Sequence, residues 1–174
     1  MIGNPCHTNA WVISKYASKI PKENISGLSY LDHNRGLSRI TELLNLKSGE
    51  IRNVIIWGNH SPAMHPDFSQ VEKTNGEKVQ IPQELDDLIQ NVKHRGTEIL
   101  RIRGITAAYS TTHAILDHMK KWIFGTEEGE IVSMGMFSPK GNKYGIPEDV
   151  LMSIPVSCSD GKCSLYENLE VMFF

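Results

Sequence analysis

Three side chains have the types and spacing that proton transfer and anion binding require. Asp32 and Arg35 stand in the pentapeptide LDHNR, and His60 follows the apolar run VIIW in the segment WGNHS. At a helix start, positions i and i+3 share a face. Arg35 can then offer its planar fork to a carboxylate or phosphate through two parallel charge-assisted bonds. Asp32 cannot bind an anion, but a carboxylate can orient a histidine and stabilise its imidazolium. His60 sits at a strand-to-loop edge, where reacting groups concentrate, and an imidazole titrates near neutrality. Read on their own, Asp32 and Arg35 fit a surface salt-bridged helix start better than a site. His60 fits a strand-closing histidine as well as an acid–base group.

Little else competes for chemistry. His33, His94, His113 and His118 fall on expected helices. Only His113 with Asp117, or His60 with His65, approaches ligand spacing, and no cysteine or carboxylate cluster completes a metal site. No metal is expected. Among the 14 glycines there is neither a G-x-G-x-x-G nor a Walker loop. The formal net charge of -2 gives no electrostatic footprint for nucleic acid or an anionic membrane. No apolar run has membrane-spanning length, and the start carries no signal-peptide pattern. The odd cysteine count (Cys6, Cys158, Cys163) points to a reduced, cytoplasmic setting. The segment CSDGKC reads as a hairpin turning at Asp160-Gly161, which sets Cys158 opposite Cys163, where a cross-strand disulfide is geometrically conceivable.

The elements that must position these residues follow from periodicity. The 174 residues, 40% hydrophobic and 22% charged, suffice for one domain with a core. MIGNP reads as the last step of a strand running into a turn. A helix is expected from Thr8 or Asn9, a short strand over 25–31, and a helix from Asn34 to Leu46 with Leu37, Ile40, Leu43 and Leu44 on one side. Residues 54–58 read as a buried strand, and 71–81 as a hairpin turning at Asn75-Gly76. Helices over 83–101 and 106–122, a strand over 130–137 and a final hairpin over 150–158 and 162–169 complete one α+β unit with antiparallel strands and packed helices.

Taken together, GNPCHTNAW, IPKENISGLSYLDHNR, NVIIWGNHS, FGTEEGEIVSMGMFS and YGIPEDVLMSIPV, in that order, resemble the cytosolic-type NAD-dependent malate dehydrogenases of the lactate/malate dehydrogenase family. The resemblance covers nearly the whole chain and implies a C-terminal substrate-binding domain over 1–174. It implies that His60 exchanges a proton with the substrate hydroxyl or carbonyl, that Asp32 pairs with His60, and that Arg35 clamps a substrate carboxylate. Asn4 would contact substrate beside the nicotinamide of NAD, Ile2 and Gly3 would line the cofactor, and Ser110 would lie near the nicotinamide. Malate and oxaloacetate are the implied substrates, a homodimer the implied assembly, and the cytoplasm the implied location.

Two departures accompany the resemblance. The sequence carries no Rossmann domain before GNP, no loop of the kind that grips the distal carboxylate, and ends before the family's last helix. The stretch IPQELDDLIQNVKHRG is also shorter than in relatives by about two helical turns. Two other readings stay open: a non-catalytic domain used for self-association, and a dehydrogenase of another 2-hydroxy acid such as lactate.

Overall fold

The fold is built on a three-stranded antiparallel sheet to which helices and two small strand pairs are fastened. The structure is a computed structural model, and it describes residues 1–83 and 85–170. The elements are α1 (Cys6–Tyr16), a 3-10 turn (Lys22–Asn24), α2 (Tyr30–Leu43), β1 (Ile51–Arg52), β2 (Ile55–Trp57), β3 (His65–Asp67), β4 (Glu72–Lys73), α3 (Asp86–Arg103), α4 (Ala108–Phe124), β5 (Val132–Phe137), β6 (Leu151–Ser159) and β7 (Lys162–Leu165). The main sheet runs β5-β6-β7, and β1 pairs with β4 and β2 with β3, all antiparallel. This is the expected α+β architecture. No helix among the described residues is long and apolar enough to cross a membrane.

One core lies between the sheet and the helices, where Leu28, Leu31 and Ala114 meet Val132, Met134 and Ile154. A second forms where α2 and α3 close over β1–β3, around Ile40, Val54, Ile56, Phe68 and Val92. Ile40 and Val54 are fully buried. Each such side chain contributes about 1.5–3 kcal/mol relative to exposure.

β2 is fixed to the main sheet at its middle and just past its end. The Ile56 N–H donates to Ser133 Oγ at 2.9 Å, and Gly58 and Ser153 exchange backbone hydrogen bonds at 3.1 and 2.7 Å. Gly58 can make that exit because it adopts φ 90, a left-handed conformation that costs glycine nothing. The loop carrying His60 therefore leaves from a rigid point.

Several expected boundaries move. Residues 25–31 are not a strand: Gly27 bridges Gly135 singly, and the chain turns into α2 at Tyr30. The helix starts four residues before Asn34 because the Ser29 carbonyl accepts the N–H groups of Asp32 and His33. α1 likewise starts at Cys6, ahead of Thr8, with Pro5 at its cap position. No strand is assigned to Met1-Ile2, although the Met1 carbonyl accepts the Leu28 N–H at 3.0 Å. α3 begins at Asp86, later than expected, and residue 84 of that expectation lies outside the described residues.

The hairpin at Asn75-Gly76 is present as a turn. Gly76 donates to the Lys73 carbonyl, and Lys73 donates to that of Glu77. Beyond the turn it shrinks to a single bridge, Glu72 with Lys78, while β4 pairs with β1 on its other edge. The final hairpin keeps the expected register, Cys158 opposite Cys163, with Asp160 and Gly161 both at positive φ. Both cysteines are free thiols, with their sulfurs 2.8 Å apart.

Candidate active site

α2 delivers Asp32 and Arg35 from its first turns, and the loop after β2 delivers His60. Asp32 is fully buried, in the first turn of α2, where the helix dipole favours a carboxylate. Its Oδ1 accepts from Arg35 Nη1 at 3.1 Å, and its Oδ2 bonds His60 Nδ1. This places both partners on one carboxylate, so its burial is compensated on each oxygen.

The bond from Asp32 is the largest influence on His60 and raises its pKa above the ordinary imidazole value. Burial and Arg35 act in the opposite direction. With Nδ1 committed to Asp32, Nε2 is the ring nitrogen left without a hydrogen-bond partner among the described residues. Arg35 has a 12% exposed side chain and a buried Nε with no partner.

His60, Arg35 and Asn4 line one cavity of about 290 Å³. Its far wall is α3 and the approach to α4: Lys93, Gly96, Thr97 and Leu100 at helical spacing, then Thr106, Ala107 and Thr111. None of the described side chains lining it is acidic. Lys93 has no ion-pair partner among the described residues. α3 comes close to Arg35 at Gly96, whose position for a Cβ is 3.5 Å from Arg35 Nη1.

Of the residues singled out in the sequence, the structure brings together Asp32, Arg35, His60 and Asn4. Ser110 lines an adjoining cavity of about 300 Å³, which shares only Leu31 and Arg35 with the first, and its hydroxyl donates back to the Ala107 carbonyl. Ile2 is half exposed and lines a third cavity near His118 and Trp122. Gly3 has open space around it and offers its carbonyl to Asn9 Nδ2 at 2.9 Å. His113 reaches Asp117 at 3.4 Å, and no group of three metal-binding side chains exists among the described residues.

Sequence reasoning missed Lys93, Thr97, Thr106 and His7. The helical stripe through Gly96 was available as a signal for the first two. Thr106 and His7 carried none, because what brings them to the site lies far away in sequence. His7, on the first turn of α1, touches the His60 segment and Ser29 from behind.

Comparison with known proteins shows the family. The family described as lactate/malate dehydrogenase, alpha/beta C-terminal domain, matches residues 29–172. The cytoplasmic malate dehydrogenase of Bos taurus is 42% identical over 182 residues, an alignment covering 100% of this chain and 54% of that protein. That of Zea mays is 37% identical over 179 residues, covering 98% and 53%. Among solved structures, Trichomonas vaginalis lactate dehydrogenase in complex with NADH and oxamate superposes with a TM-score of 0.91 at 36% identity, covering 98% of this chain and 54% of that one. Malate dehydrogenase from Naegleria fowleri gives 0.88 at 35%, covering 98% and 53%. The chain spans about half the length of these relatives. With a family match over most of its residues and relatives of this identity along its whole length, the chain belongs to the lactate/malate dehydrogenase family, whose alpha/beta C-terminal domain it carries.

Proposed function

We propose that this chain supplies the substrate-binding and proton-transfer half of a cytoplasmic, NAD-dependent malate dehydrogenase that interconverts malate and oxaloacetate. The observation that carries this reading is the Asp32 carboxylate holding Arg35 and His60 together at one cavity. Arg35 offers a fork to the carboxylate next to the reacting carbon. His60 Nε2 takes the proton of the substrate hydroxyl when malate is oxidised and returns it to the carbonyl oxygen in reduction. Asp32 holds the Nδ1–H tautomer and stabilises the imidazolium that forms. Asn4 contributes a neutral hydrogen-bonding side chain on the same cavity.

NAD, when bound, supplies the hydride acceptor or donor. The residues here fit only its nicotinamide end: Ile2 is a half-exposed apolar face, Gly3 adds no side chain beside it, and Asn4 follows with its polar group in the substrate cavity. Ser110 stands on the next cavity, one wall away. Nothing among the described residues fits a pyrophosphate cradle.

The choice of malate over lactate is supported by Lys93, a second cation on the cavity beside the Asp32-paired Arg35 and itself without an ion-pair partner among the described residues, which suits a doubly negative substrate. The lactate reading draws on the likeness to the Trichomonas vaginalis enzyme. A homodimer belongs to the same proposal. The uncovered apolar stripe Leu116, Met119 and Ile123 on α4 is surface available to it.

Malate-dependent NAD reduction is the test. Joined to a dinucleotide-binding half, the chain is expected to turn over malate, and His60→Asn to abolish turnover. Undiminished activity in that variant overturns the assignment.

A further inference from the structure

His7 takes no part in the reaction just proposed, yet its surroundings are more specific than a core histidine needs. The residue is 2% exposed. Its Nδ1 lies 3.2 Å from the backbone nitrogen of His60 and 3.0 Å from Asn59 Oδ1, and its Nε2 lies 3.0 Å from Ser29 Oγ. A backbone N–H can only donate, so Nδ1 must accept, and the proton of a neutral ring then sits on Nε2, facing the Ser29 hydroxyl. Burial keeps the ring neutral, pushing the His7 pKa down to about 4. An accepting Nδ1 cannot also donate to an amide oxygen. With Nδ1 accepting, the Asn59 amide faces the ring through Nδ2 in place of Oδ1, an exchange of two groups of the same shape.

The slot that holds this ring is floored by two glycines. Gly27 and Gly135 exchange backbone hydrogen bonds at 2.8 and 3.0 Å. A Cβ on Gly27 would stand 2.3 Å from His7 Cδ2, and one on Gly135 would stand 2.5 Å from Nε2. No side chain can occupy either position while the imidazole is in place.

Three backbone segments meet at this ring, and each delivers a polar group to the cavity. His7 follows Asn4 by three residues. Ser29 directly precedes α2, and its carbonyl accepts the Asp32 N–H at 3.0 Å. The third segment is His60 itself. We propose that His7 is a positioning residue: its imidazole, seated on Gly27 and Gly135, accepts the His60 backbone N–H while bonding Ser29, and so holds the His60 ring against Asp32. This rests on the reading of His60 as the proton-exchanging group, but its test needs neither malate nor NAD.

Nitrogen-15 imidazole NMR of the whole chain reads it. His7 in the unsubstituted chain is expected as the Nε2–H tautomer. In His7→Leu, which fills the slot without an acceptor, His60 is expected to titrate about one pH unit lower, a tenfold loss of proton affinity. His7→Asn places an amide oxygen where Nδ1 stood and is expected to restore most of that difference, which a purely space-filling role would not. If His7→Leu fails to fold, Ser29→Ala removes only the far partner and is expected to lower the His60 titration in the same direction by a smaller amount.

An Nδ1–H tautomer at His7 overturns the proposal. So does a His60 titration unmoved in folded His7→Leu, or in Ser29→Ala where that variant stands in. Neither result touches the malate assignment, which the activity of His60→Asn decides separately.

Discussion

Asp32 meets an arginine and a histidine with one carboxylate: Oδ1 accepts from Arg35 at 3.1 Å, and Oδ2 bonds Nδ1 of His60. The raised pKa of His60 follows chiefly from that bond. A raised histidine pKa contributes stability that is fully present below the unfolded value and is lost as pH rises through the folded one. In the proposed reaction the same titration governs the chemistry. Malate oxidation needs neutral His60 and should rise with pH through its pKa, whereas oxaloacetate reduction needs the imidazolium and should fall. In Asp32→Asn both profiles are expected to move to lower pH, and kcat to drop by roughly 10²–10⁴-fold, because an amide can donate to Nδ1 and favour the wrong tautomer. A pH–rate profile of the variant that stays where it was removes Asp32 from its role.

Lys93 stands one helical turn before Gly96, the point where α3 touches Arg35. Arg35, held by Asp32, and the unpaired Lys93 put two cations on one cavity with no acidic lining side chain among the described residues, which matches a substrate with two carboxylates. A hydrogen bond to a charged group contributes about 1.5–3 kcal/mol. Lys93→Gln is therefore expected to raise KM for malate by about tenfold or more, with kcat little changed, and to leave KM for lactate where it was. Steady-state kinetics on both substrates checks this. An equal loss for both would mean that Lys93 acts on the fold or on the shared carboxylate.

How much of this was legible depended on whether the cause was local. The turn at Asp160-Gly161 was readable because both residues adopt positive φ, which aspartate and glycine tolerate. His60 was readable because a buried strand leads straight to it. The start of α2 was not. Ser29 makes no side-chain cap, and Ile25, Leu28 and Leu31 are buried by packing that an apolar run cannot assign to strand or helix. Motif order linked Asp32 to His60, which sequence spacing alone left open. His7 was invisible because its partners, Ser29 and His60, are 22 and 53 positions away.

Gly36 tests how tightly α2 is seated. A Cβ there would lie 2.7 Å from Cγ1 of Val54, a fully buried and β-branched side chain at the entry to β2. Alanine would gain about 1 kcal/mol in helix propensity, but overpacking costs about 1–3 kcal/mol. Gly36→Ala is expected to lower stability by up to about 2 kcal/mol in urea titration. The double substitution Gly36→Ala, Val54→Ala is expected to be less destabilising than the two single losses added together. Strict additivity, or a stabilised single variant, would show that α2 shifts freely on β2.

Buried neutral histidines set the acid limit of the fold. Burial drives His7, His33 and His118 down to about 4 each. They stay neutral in the folded chain, while in the unfolded chain they take up protons near the ordinary value of about 6.5. Depressed histidine pKa values make stability complete above the unfolded value and erode it as pH falls toward the folded one. Between about pH 7.5 and about pH 5.5 each ring is expected to cost roughly 1.4 kcal/mol, so about 4 kcal/mol together, partly offset by His60 with its raised pKa. Urea titrations at the two pH values measure the difference. His118→Gln keeps a group able to bond Ser26 Oγ, which lies 3.2 Å from His118 Nε2, and is expected to remove about a third of the slope. Stability that holds constant or rises toward acid would mean that these three rings are protonated in the folded chain, which would also turn His7 Nδ1 from an acceptor into a donor facing the His60 N–H.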